Sequence, residues 1–270
     1  MKRTIFSIYL MAAYSFLLMA QNLEILESTN YLRVGDSIHY DFVIPTISQN
    51  SNVSEHTWDF SNSKYFGQEK EVFFVGNDSN RIKMIDKDAI LDFSQDKEHL
   101  LLKHLQTPLL NIDFGNSFEY LKFPFPLNDS LVCQIEGKGT YCSKNKLVLS
   151  GTCCTKTMAK GKLIMPYNDS LNNTLLIQRN IVANIDVSND SLMSVRQDEP
   201  MKFNAAIFEW YAMEYRYPIL KVIEAAIKKG ERKVLDQFFA YLFMSVEEIG
   251  VLHASFFFTL HPSPFGSECR

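Results

Sequence analysis

The sequence predicts an all-β fold, with the strands arranged as an antiparallel sandwich-like structure or as two stacked β subdomains. Three observations predict it. Short apolar or alternating runs recur between clusters of Asn, Asp, Gly, Ser and Pro, at the length and spacing that strands leave in a sequence. The 270 residues include 21 Phe and 12 Tyr against 11 Gly and 9 Pro, and flat rings are enriched in sheets. No alternation of strand-like and helix-like segments suggests a parallel α/β core. At 46% hydrophobic and 21% charged residues the chain has a globular composition, which excludes collagen-like, low-complexity and disordered charged proteins.

The first element is an export signal over residues 1–20. Lys2 and Arg3 precede an apolar stretch running through Phe16-Leu17-Leu18-Met19-Ala20, and polar Gln21-Asn22 follow. The stretch is shorter than the roughly 20 residues that span a bilayer, and Ala20 is the small residue expected at a cleavage point. No later segment is long and apolar enough to form an integral membrane helix. The mature chain is expected to be exported, to the periplasm, the cell surface or the medium. Cleavage takes two of the 27 Lys+Arg and leaves 25 against 31 Asp+Glu, a net charge of −6. That balance argues against nucleic acid as a partner, since the densest basic stretches, Lys228–Lys233 and Lys156–Lys162, are interrupted by acid or spaced apart.

Strands are expected over Ser37–Ile44, Glu71–Val75, Arg81–Ile85, Ala89–Phe93, Leu100–Leu105 and Leu109–Phe114 in an N-terminal β region, 21–126. Those of a C-terminal β region, 127–248, are expected over Leu131–Ile135, Lys146–Thr152, Lys162–Met165, Thr174–Ile185 and Ala205–Tyr217; the two regions can equally be one continuous domain. Residues 249–270 form a tail. Asn-Asp-Ser recurs at 77–79, 128–130, 168–170 and 189–191. These tripeptides read as turns, because Asn and Asp bond their own backbone and the stretches lack the central Gly and closing Glu of a calcium loop. Over 219–243 the apolar residues Leu220, Ile223, Ile227, Val234, Phe238 and Leu242 fall at helical spacing around Gly230. That periodicity favours two short helices over a hairpin turning at Lys229-Gly230-Glu231.

Five cysteines, Cys133, Cys142, Cys153, Cys154 and Cys269, leave at least one without an intrachain partner. A two-residue turn at Gly137-Lys138 would set Cys133 opposite Cys142 on a non-hydrogen-bonded rung, where a cross-strand disulfide is least strained. Zinc ligation is disfavoured by the spacings, and Glu98–His104 separates its two His by five positions, which suits neither face of a strand. No metal or cofactor is therefore expected. No G-x-S-x-G elbow, no Cys near a His in sequence and no locatable carboxylate pair specify a reaction. The densest aromatic segment, Phe208–Pro218, offers Trp210, Tyr211 and Tyr215 as candidate binding residues if its rings are exposed to stack on sugars or peptides. Buried, they are core.

In order along the chain, Val34-Gly35-Asp36-Ser37, Trp58-Asp59-Phe60-Ser61, Phe123-Pro124-Phe125-Pro126-Leu127, Gly161-Lys162-Leu163-Ile164-Met165-Pro166 with Leu175-Leu176-Ile177, and Phe208-Glu209-Trp210-Tyr211 leading to Arg216-Tyr217-Pro218-Ile219-Leu220 resemble a family of uncharacterised exported β-rich proteins of Bacteroidales-type bacteria. The resemblance spans most of residues 31–220. It implies an envelope-associated or secreted β protein and carries no activity, cofactor or catalytic residue with it. Some relatives continue into a sorting domain, whereas Val251–Arg270 is only a short aromatic tail. The resemblance also favours the hairpin at Gly230, which is the reading adopted for 219–243. The function expected is binding or structural, with a glycan or an envelope protein as the partner. The alternatives are a hydrolase of envelope or dietary polymers and a surface-assembly subunit.

Overall fold

The structure is a computed structural model and describes residues 24–45, 48–52, 55–166, 169–188, 201–213 and 215–248. Residues 1–20, where an export signal is expected, the stretch 249–270 with Cys269, and Asn189-Asp190-Ser191 lie outside the described residues. Sixteen strands and one helical turn, α1 (Glu27–Asn30), make up the fold. The strands are β1 (Glu24–Ile25), β2 (Asp36–Ile44), β3 (Ser48–Asn52), β4 (Glu55–Asp59), β5 (Lys64–Asp78), β6 (Arg81–Ile85), β7 (Ile90–Gln95) and β8 (His99–Gln106). The second half adds β9 (Leu110–Lys122), β10 (Phe125–Pro126), β11 (Ser130–Tyr141), β12 (Asn145–Ile164), β13 (Ser170–Ser188), β14 (Met201–Ala212), β15 (Leu220–Lys229) and β16 (Arg232–Glu248).

The all-β class holds, but the arrangement is neither a sandwich nor two stacked subdomains. The sheet runs β11-β9-β8-β7-β6-β5-β2-β16-β15-β14-β13-β12, and β11 also pairs with β12, so twelve antiparallel strands close into a barrel. Closure leaves each of these strands a partner on both sides, which a sandwich does not. Strands from both sides of residue 126 belong to this one sheet. The hairpin reading of 219–243 is the one observed: β15 and β16 meet across Gly230-Glu231, with Gly230 at φ 56°. In-facing and out-facing side chains alternate, as on β12, where Leu147, Leu149, Cys153, Thr155 and Thr157 are buried and Val148, Ser150, Lys156 and Met158 are exposed.

Two additions complete the barrel. At one end, β1 pairs with β10 and inserts Ile25 beside Phe125, both fully buried. The Asn30 amide on α1 donates to the carbonyls of Tyr215 and Arg216 at 3.3 and 3.1 Å. The Gln95 side chain clasps Leu32, accepting from its N–H at 3.0 Å and donating to its carbonyl at 2.8 Å. Residues 24–36 therefore act as a lid fixed over this end. The second addition lies outside the wall. A bulge between Thr157 and Ala159 shifts the far part of β12, which then pairs in parallel with β4. Trp58 and Phe60 thereby pack on the outward faces of β14–β16, against Trp210, Leu220, Val222, Ala240 and Leu242.

The Asp residues of the turns bond the backbone as expected. Asp78 accepts from the N–H groups of Asn80 and Arg81, Asp86 from Asp88 and Ala89, and Asp96 from Glu98 and His99, all at 2.7–2.9 Å.

The Cys133–Cys142 disulfide is overturned. β11 continues unbroken through Gly137-Lys138 to Tyr141, so the hairpin turn begins five residues later than expected and Cys142 lies in the turn itself. Cys133 then faces Cys153, and Cys133, Cys153 and Cys154 are free thiols. Gly137 and Gly139 serve close packing instead of a turn: a Cβ on Gly139 would stand 1.7 Å from the Asn111 carbonyl oxygen.

Candidate functional site

Strand parity brings three charged residues to the inside of the barrel. On β13 the inward series is Leu175, Ile177, Arg179, Ile181, Ala183 and Ile185; on β14 it includes Glu209, and register sets Lys221 of β15 directly opposite Glu209. Arg179 and Glu209 are 0% and 2% exposed, and Lys221 keeps 23% of its side chain accessible. Arg179 donates through Nη1 to Glu209 Oε2 at 3.1 Å and through Nη2 to the Tyr120 carbonyl at 3.1 Å, and its guanidinium lies 3.6 Å over the Tyr120 ring. Lys221 Nζ is 3.0 Å from Glu209 Oε1, which also accepts from the Tyr120 hydroxyl at 3.3 Å. Tyr120 belongs to β9, so these bonds bridge the lumen.

The electrostatics follow from this geometry. Burial works to raise the Glu209 carboxyl, but Lys221 and Arg179 outweigh it and hold the group down at about 2. Burial likewise opposes the charge on Lys221, and Glu209 reverses that, so Lys221 stays protonated. Burial, reinforced by the Glu209 charge, pushes Tyr211 above its ordinary value. Next to the cluster, the hydrogen bond from Cys153 draws the Cys133 thiol down to about 7 against the effect of its burial. Among the described residues, Arg179 Nε has no hydrogen-bond partner although it is buried.

Away from the lid, the interior loosens on one side. The inward residues of β14–β16 beyond the charged layer, Ile207, Phe203 and Met201, Ile223 and Ile227, Phe239 and Leu235, are all half-buried. On β13, β12 and β9, beginning with Ile185 directly beside Met201, the residues Ile185, Leu147, Leu149, Ile112 and Phe114 are buried, and Met201 and Phe203 pack against them. Small side chains thin the wall between, with Ala205 opposite Ala225 and Gly151 opposite Ala183. The result is a half-buried apolar wall on β14–β16 beyond the charged layer, within which Lys221 keeps the most accessible side chain of the three.

The three aromatic candidates divide between two cores. Tyr211, 7% exposed, points inward into the main cluster. Trp210, 4% exposed, points outward and is covered edge-on by Phe60 and Trp58 at 5.4 and 6.2 Å. Tyr215 is half-buried against Phe243 at 5.5 Å. They form no joint surface. A separate cleft of about 390 Å³ lies along the lid, where Arg33 and Arg216 converge. Both arginines are engaged, Arg33 with Asp36 at 2.7 Å and Arg216 with the Tyr31 carbonyl at 2.6 Å.

Sequence reasoning passed over Arg179 and Lys221. The signal for Arg179 was present: a lone cation at inward parity within Leu175–Ile185. For Lys221 only the register with Glu209 reveals the role.

Fold and interior together define a closed barrel whose apolar interior surrounds one charged layer, lidded at one end. Comparison with known proteins finds no family model, no curated protein and no solved structure that matches the chain.

Proposed function

We propose that this chain is an exported, envelope-associated binding protein, and that its ligand is an apolar or amphipathic small molecule received at the end of the barrel away from the lid. One observation carries the reading: the inward apolar side chains on β14–β16 are only half-buried at the end away from the lid, while Ile25 and Phe125 are fully buried at the lidded end. A binding barrel needs an apolar cavity with few polar groups and one route in. The signal segment and the resemblance to exported β-rich proteins support the location. The hydrolase alternative is weaker, because Glu209 is held ionised by two cations and cannot act as a general acid near neutral pH. The assembly-subunit alternative is weaker as well. Every barrel strand is paired on both sides, and the strand at the end of the sheet, β3, spans only Ser48–Asn52.

The test is titration of the mature chain with N-phenyl-1-naphthylamine, a neutral dye that fluoresces in apolar surroundings. Saturable enhancement is expected, and Phe203→Glu, which sets a charge on the wall, should weaken it at least about tenfold, the ratio that corresponds to ~1.4 kcal/mol. Absence of saturable binding to the wild type would sink the reading.

A further inference from the structure

The charged layer does not balance. Arg179 and Lys221 are two cations against the single carboxylate of Glu209, and the tyrosines about them, Tyr40, Tyr211 and Tyr241, are driven by burial toward their neutral forms. The other inward ion pair, Lys70 with Asp86 at 2.7 Å, is internally neutral. Among the described residues, one positive charge is therefore left over inside the barrel, where an uncompensated charge is costly. Independently, Arg179 Nε is buried with no acceptor among them. Both observations describe a layer built for one more anion than the described residues supply.

The anion must arrive from the end away from the lid, because Lys221 is the only member of the triad with appreciable accessible surface. It must also carry an apolar body, because the approach to Lys221 runs past Ile223, Phe239, Ile207, Phe203 and Ile227. From Glu209 to Met201 the strand rises ~3.3 Å per residue, a path of about 26 Å, which is long enough for an extended acyl chain. The charge count selects the head group: a phosphate monoester carries about −1.5 to −2 at neutral pH and overshoots a single excess charge, whereas a carboxylate matches it.

Resting on the binding reading above, we propose that the ligand is a single-chain carboxylate amphiphile of the fatty-acid type. Its carboxylate sits on Lys221 over the Arg179–Glu209 pair, and its tail lies along the apolar wall of β14–β16.

The test is displacement of N-phenyl-1-naphthylamine from the delipidated mature chain by palmitate and by methyl palmitate, which share the tail and differ in charge. Palmitate should displace the dye at a concentration at least about tenfold lower, the gain of one charge-assisted contact. Lys221→Met, which leaves Arg179 and Glu209 as a neutral pair, should abolish the difference between the two competitors. Equal displacement of the dye from the wild type by the two competitors overturns the head-group assignment while leaving the cavity standing, and needs no variant. A preference for palmitate that persists in Lys221→Met overturns the role of Lys221. Failure of the dye itself to bind overturns the cavity instead.

Discussion

Glu209 shows how a single carboxylate can organise the centre of a barrel. Its ordinary value of 4.5 falls to about 2 in the folded chain, so ionised Glu209 stabilises the fold above pH 4.5, and that stability drains away as the pH falls toward 2. At pH 3 about 2 kcal/mol should be gone from this group alone. Urea unfolding at pH 7 and pH 3 reads the loss, and Glu209→Gln should show correspondingly less of it; an equal loss in both proteins would refute the assignment. At pH 7 the same variant strands two buried cations and should cost about 3–5 kcal/mol. Residue-scale signals were uneven in the sequence. Arg179 carried a parity signal that sequence reasoning passed over, whereas Asp78 of the first Asn-Asp-Ser tripeptide bonds its own backbone as that tripeptide predicts. The partner of Cys133 could not be read, because a cysteine pair depends on where the hairpin turns, and Gly137 and Gly139 imitate a turn while serving close strand packing.

At the scale of elements, the expected strands occur, and most are longer than their apolar runs, although β6 matches Arg81–Ile85 and β14 ends at Ala212, short of the expected Tyr217. β12 extends from Asn145 to Ile164, although its sequence looked extended only over Lys146–Thr152 and Lys162–Met165. Between them Thr155 and Thr157 occupy buried positions, so no hydrophobic alternation marks the strand. β15 blurred in the opposite way. Leu220 and Val222 are buried on its outer face under Trp58 and Phe60, while Ile223 and Ile227 face inward, and apolar residues on both faces imitate helical spacing. The seam between β9 and β11 spans only Lys138–Tyr141 against Leu110–Asp113. Gly139→Ala places a methyl group against the Asn111 backbone there. We expect the substitution to open the seam. Hydrogen exchange at Leu110–Asp113 should lose protection, and the melting temperature should fall by about 4 °C or more. Unchanged protection in that stretch would show that the seam tolerates the methyl group.

At the scale of the whole molecule, the outside of the wall carries charged and polar residues at mid-strand, with Val132, Val148, Met158, Val182 and Phe238 exposed between them. Gln134, Glu136 and Lys138 on β11, Lys156 on β12, Asn184 and Asp186 on β13, Lys202 and Asn204 on β14, and Glu224 and Lys228 on β15 are all exposed along the strands. A barrel that spans a membrane needs an outward apolar band about 25 Å tall, and charges at mid-strand would be costly there. The mature chain is therefore expected to purify without detergent as a monodisperse species by light scattering; a strict requirement for detergent would contradict this account. Closure itself was not legible, because it depends on two pairings that no local pattern encodes, β11 with β9 across the β10 connection and β2 with β16 from opposite ends of the described chain. The second of these pairings also sets a timetable. One edge of β2 is matched early by β5, but the other is matched only by β16, so from Ile44 until Arg232 and its successors have been synthesised that edge waits with its amides and carbonyls unclaimed. The cylinder is sealed by the last described strand to be made, and until then the nascent chain carries an adhesive border that a chaperone must shield or a neighbouring chain can seize.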